Sequence, residues 1–146
     1  MHANAVTVYV LSVIVLFAKT LATITVQAVQ RLRSRQFRYP EDAAEWKGTA
    51  GPDNDVTQRA QNLLRNDAET QIFYLALGAA YALIGNWPPW APVAFTVYPL
   101  SRLVHAYFFL RPRQPHRNRA FSLGLIVLAL LAGHLAYVCI VRLAAD

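Results

Sequence analysis

Four segments of this chain are long and apolar enough to cross a bilayer, and that restricts the backbone to very few arrangements. They run approximately over residues 6–30, 67–85, 91–110 and 119–143, each near the roughly 20 residues that a spanning helix needs. The expected fold is all-α, a transmembrane four-helix bundle. It forms one domain over residues 1–146, with residues 31–65 as a long loop. Pro92 and Pro99 interrupt the third segment, which is tolerated where neighbours satisfy the freed carbonyl. Composition agrees, since 55% hydrophobic and 15% charged residues are too apolar for an ordinary soluble domain of this size. The first segment reads as a retained helix. Only His2 precedes the apolar run, there is no basic stretch before it, and Lys19 interrupts it. The fourth carries Gly124, Gly133 and His134 at positions suited to helix packing.

Charge sets the expected topology. Seven of the 14 Lys and Arg residues lie between the first and second segments, and Arg111, Arg113, Arg117 and Arg119 lie between the third and fourth. The connection from Asn86 to Trp90 has none and holds two tryptophans suited to an interface. The positive-inside rule then makes the two basic loops cytoplasmic and puts both termini on the other side. The same placement accounts for the net charge of +6 through anionic lipid head groups and excludes nucleic acid as the partner. Cys139 is the single cysteine, so no intrachain disulfide exists. His2, His105, His116 and His134 share no ligand spacing, and no metal site is expected.

Polar residues inside apolar segments carry the functional signal, because charge at membrane depth is costly and is kept where it faces other helices. Arg65, Asn66 and Glu69 have spacings that place them on one helical face. A guanidinium, an amide and a carboxylate together suit a small zwitterion. The bland alternative is a solvated helix start. Lys19, Thr23, Gln27 and Arg31 form a stripe along the first helix. Arg31 alone is equally well a snorkelling anchor. Lys19 needs a partner, with Glu69 and Asp67 as candidates, although depth argues against a close pair. Arg102, His105 and Phe109 share a face of the third helix, and Arg119 opens the fourth. The basic end of the bundle is therefore expected to be a cationic pocket with one carboxylate, fit for an anionic ligand bearing an amine.

These residues also occur in a recognisable order. Arg31-Leu32-Arg33, Pro40-Glu41-Asp42-Ala43, Arg65 to Thr70, Gly85-Asn86, Arg102-Leu103-Val104-His105, and Pro115 with Arg119 span nearly the whole chain. The set resembles the membrane-associated proteins in eicosanoid and glutathione metabolism, in their glutathione transferase and prostaglandin E synthase branches. The resemblance implies a homotrimer with glutathione bound between subunits. It further implies Arg31, Arg65, Asn66, Glu69, His105 and Arg119 as glutathione contacts. Arginines would hold the carboxylates, bidentately where geometry allows, and Glu69 the amine.

The implied activity is a glutathione-dependent transferase or peroxidase. Positive charge beside the thiol lowers its pKa and raises the thiolate fraction. Arg119 is the expected thiolate stabiliser, with Asp42 a weaker second catalytic candidate. Glutathione itself attacks, and the second substrate is an apolar molecule arriving from the lipid bilayer. Departures from the family pattern are Asn62 for an arginine, Phe109 for a tyrosine, Ala120 for a serine and Leu123 for a tyrosine. They argue against prostaglandin synthase activity and keep a non-catalytic lipid- or glutathione-binding module as the alternative. The turn before Arg119 is one residue longer than expected, which makes Arg117 a substitute for it. The number of buried charges independently calls for a polar subunit interface, although closure at three comes from the resemblance.

Overall fold

The computed structural model describes residues 2–145. Its elements are α1 (His2–Ser34), β1 (Gln36–Phe37), α2 (Pro40–Glu45), β2 (Thr49–Ala50), α3 (Asp55–Ile84), α4 (Ala91–Leu110) and α5 (His116–Ala145). The four long helices form the all-α bundle. Among the described residues, α1 from Ala5, α4 and α5 are long and apolar enough to cross a membrane, whereas α3, which contains the expected second span, is not one of these three. At 1.5 Å per residue, α1 spans about 50 Å, so its last turn with Arg31 and Arg33 projects well past an apolar core. Basic side chains there also suit the negative end of the helix dipole. Between α1 and α3, β1 and β2 form a two-stranded parallel pair, Gln36 opposite Thr49 and Phe37 opposite Ala50, with α2 as the crossover.

The largest departure from the sequence expectation is the start of α3. A loop was expected through residue 65, and the helix begins at Asp55. Asn54 caps it, its side chain accepting the Thr57 N–H at 2.9 Å, and Asp55 adds a carboxylate to the first turn. Thr57, Ala60, Leu63, Asp67, Thr70, Tyr74, Gly78 and Tyr81 are buried, at spacings of three and four that trace one continuous face. Asp67 therefore lies well inside the helix. Gly85 ends it in the left-handed region (φ 72°), with its N–H on the Tyr81 carbonyl at 2.9 Å.

α4 keeps the expected boundaries despite Pro99. Proline has no N–H to give the carbonyl four residues back. That carbonyl belongs to Phe95, and the Tyr74 hydroxyl of α3 donates to it at 3.3 Å. The aromatic core around this point contains Tyr74, Tyr81, Trp87, Phe95 and Tyr98. Trp87 belongs to that core. Of the two tryptophans expected at an interface, it is 8% exposed and stacks on Tyr81, while Trp90 is 38% exposed.

Small residues let helices approach closely at two places. Gly124 of α5 faces Ser101 of α4, where an added β-carbon would meet the serine oxygen at 3.0 Å. Gly78 of α3 lies against the Tyr9 ring of α1, with no room for a β-carbon. Gly133, expected to pack, faces open space. Gly78→Ala is therefore expected to cost about 1–3 kcal/mol by overpacking, read as a lower unfolding midpoint in detergent. Gly133→Ala should not lower it. An unchanged midpoint for Gly78→Ala would rule out the close contact.

Candidate functional site

The deepest polar group in the bundle is an ion network. Asp67 of α3 takes the Lys19 ammonium from α1 on one oxygen and the Arg102 guanidinium from α4, at 2.8 Å, on the other. Arg102 also donates to the Asn66 side-chain carbonyl at 2.6 Å. All three charged side chains are nearly inaccessible, at 4% or less. The expectation that depth would keep Lys19 from a close acidic partner is corrected. It assumed a helix starting at residue 67, whereas twelve further residues precede Asp67 in α3 and bring it level with Lys19.

The remaining expected contacts separate into different places. Arg31 makes a two-pronged pair with Asp53, Nε to one oxygen at 3.0 Å and a terminal nitrogen to the other at 2.9 Å. Arg65 and Glu69 pair with each other at 3.4 Å on the outside of α3, 82% and 60% exposed. Asn66 turns away from them towards Arg102. One helical face does not hold all three. Asp42 sits half-buried in α2, within electrostatic reach of Arg31. Within this chain, the six residues expected on glutathione therefore form no single pocket.

A line of stacked groups joins the deep network to the basic end. Arg102 lies 5.4 Å from the Phe121 ring, and His105 is 5.4 Å from both Phe121 and Phe109. Arg117 lies over Phe109 at 5.1 Å, a cation–π contact. His105 is 3% exposed, and neither ring nitrogen has a hydrogen-bond partner. At the surface, Arg117 and Phe109 share a pocket with Asp55, Gln58, Arg59 and Asn62. Its volume is about 230 Å³. Two guanidiniums, one carboxylate and two amides thus converge between α3 and α5. The sequence reading missed Asp55 and Arg59 because it placed them in a loop. The run Asp53-Asn54-Asp55 was the available signal, since capping residues mark a helix start.

Arg117 and Arg119 are two residues apart on α5, about 200° around the helix, and they face different surroundings. Arg119 is exposed and lines an apolar groove between α4 and α5. The turn leading to them, from Arg111, ends at His116, which opens α5.

Residues 8–137 match the MAPEG family model. The chain belongs to the MAPEG family. Relatives at about a third identity cover most of both chains. Prostaglandin E synthase of Bos taurus is 31% identical over 134 residues, 90% of this chain and 88% of its own. That of Equus caballus is 33% identical over 132 residues, 88% and 86%. The human protein is 30% identical over 135 residues, 90% and 88%. Membership in the MAPEG family, with three helices fit to cross a bilayer, makes this an integral membrane protein.

Proposed function

We propose that this protein is a glutathione-dependent membrane enzyme, a transferase or peroxidase acting on a lipophilic electrophile or lipid hydroperoxide. Family membership supports glutathione as the cosubstrate, and the relatives' name brings a prostaglandin-forming reaction into the same class. The observation that carries the reading is the polar mouth between α3 and α5, where Arg117, Arg59, Asp55, Gln58 and Asn62 meet on the Phe109 ring. Its two guanidiniums suit the tripeptide's carboxylates, and its carboxylate suits the amine. Arg117, held over Phe109, is the residue in that mouth that would lower the thiol pKa. The bound thiolate attacks the second substrate directly, so the protein supplies no nucleophile. His105 lies one ring deeper, its nitrogens free to meet a ligand that displaces Phe109.

The expected homotrimer fits this arrangement. Arg65, Glu69, Ile72 and Phe73 are exposed together along α3, and charge at that depth calls for a polar neighbour. A second copy would cover the face and add Arg65 and Glu69 to the site. The substitutions at Phe109, Ala120 and Leu123 favour one competing reading, a module that binds lipid or glutathione without turnover.

Protein purified in detergent without added thiol distinguishes these readings. The enzyme should bind glutathione by calorimetry at millimolar concentration, show thiolate absorbance, and conjugate a chlorinated nitroaromatic. Native mass spectrometry of the same sample should show three chains retaining glutathione. Binding without turnover would select the module. Absence of both would end the proposal, and a monomer that still binds glutathione would end the shared site.

A further inference from the structure

The buried ion network carries a charge that nothing around it cancels. Lys19 and Asp67 neutralise one another wherever the proton between them sits, which leaves the full positive charge of Arg102. α1 contains no acidic residue, and none occurs between Thr70 and Ala145, so α4 and α5 contain none either. On α3, Asp55 stands in the first turn and Glu69 is 60% exposed on the outer face. Among the described residues, Asp67 is therefore the one buried carboxylate of the four long helices. The other groups near the network are neutral or of the same sign. Thr23 of α1 directs its hydroxyl to the Lys19 carbonyl, Asn66 of α3 offers an amide, and Tyr98 of α4 a phenol. Arg117 on α5 adds a further cation towards the mouth. Arg102 Nε is buried and meets no acceptor among the described residues.

An excess charge at membrane depth is costly and is kept mostly where it does work. Between Arg102 and the polar mouth lie the rings of Phe121, His105 and Phe109. Seven residues of α4 separate Arg102 from Phe109, about 10 Å along the axis. Rings screen a charge far less than water does, so the network is felt at the mouth. Resting on the glutathione reading of that mouth, we propose that the Lys19–Asp67–Arg102 network is a remote counter-charge for the bound thiolate. Its net positive charge acts through the ring stack and adds to that of Arg117. Ionisation breaks only the thiol S–H bond; the electron pair stays on sulfur and the proton leaves to water at the mouth. Lys19 and Asp67 touch no reacting atom. They are positioning residues that fix the sign and size of the charge presented by Arg102. At about 10 Å and an effective dielectric of about 20, one unit charge moves a pKa by about one unit.

The test is the thiol titration of glutathione bound at saturation to the full-length protein in detergent, followed by thiolate absorbance. Lys19→Met leaves the Asp67–Arg102 pair with no net charge. It should raise the thiol pKa by about one unit, which lowers the thiolate fraction about tenfold on the acid side of the midpoint. Asp67→Asn leaves two cations and should lower the pKa by a similar amount. Lys19→Arg keeps the charge and should titrate like the parent, so the two Lys19 variants carry the test even if Asp67→Asn does not fold. Arg142→Gln also removes one cation, but from the far end of α5, about 38 Å from Arg117, and should shift nothing. A merely structural network would move Lys19→Met and Asp67→Asn in the same direction, towards the pKa of free glutathione, and that result would overturn the proposal. So would a parental pKa in Lys19→Met, or a shift in Arg142→Gln as large as its own. Glutathione that binds with one titration in every variant would end this proposal alone. Glutathione that does not bind the parent would end the enzymatic reading and this proposal with it.

Discussion

Asp67→Ala is expected to lower stability by about 3–5 kcal/mol, the cost of leaving a buried charge without its partner. Asp67 is the only carboxylate in contact with Lys19 and Arg102 among the described residues, and the alanine variant would strand both cations. Glu69→Ala, on the exposed side of the same helix, should change stability by no more than about 1 kcal/mol. Unfolding midpoints in detergent, at fixed protein and lipid concentration, read both. Adding Lys19→Met to Asp67→Ala should recover part of the loss, because neighbouring members of one network are not additive. Replacing Lys19, Asp67 and Arg102 together by apolar residues of similar size should come out near neutral. A midpoint for Asp67→Ala equal to that of the parent would show that the network does not hold the bundle.

The second large effect concerns Arg117 and Arg119. If thiolate stabilisation belongs to the polar mouth, Arg117→Leu should reduce glutathione turnover by about 10²–10³-fold, the usual consequence of removing one preorganised charge partner. Arg119→Leu should leave conjugation of a neutral test electrophile within a few-fold of the parent. Thiolate absorbance at neutral pH separates a chemical effect from a folding defect, since the Arg117 variant should bind glutathione as the thiol. The reverse ranking would return the role to Arg119. Phe109→Leu should resemble a milder Arg117 loss, and Phe109→Tyr should be close to the parent because it keeps the ring beneath the guanidinium.

Much of the bundle was legible because apolar length and basic turns are long-range, redundant signals. The span 91–110 matched α4 residue for residue. The errors have local causes. Residues 55–66 read as loop because Gln58, Arg59, Gln61 and Asn62 are polar, yet Thr57, Ala60 and Leu63 supply an apolar face that is only three residues long there. That missing stretch displaced Asp67 in depth and hid its pairing with Lys19. Trp87 was given to an interface by composition, whereas Tyr81 and Phe95 enclose it. Among the expected site residues, sequence order named Arg31, Asn66, Glu69 and His105. It could not show that Arg31 is already held by Asp53 or that Asn66 serves Arg102. Hydrogen-bond choices among several polar neighbours depend on side-chain direction, which spacing alone does not carry.

The hydroxyl that reaches from Tyr74 to the carbonyl above Pro99 couples the choice of residue at two distant positions. A lineage that loses the hydroxyl first strands a polar atom in the core. One that loses the proline first restores the helical N–H, while the tyrosine hydroxyl keeps Ser12 as a partner. The two changes are therefore ordered: proline should be the first to go and the last to arrive. The irregularity in α4 is in that sense a historical record, and a descendant holding Pro99 opposite phenylalanine at position 74 should be the rarest of the four combinations.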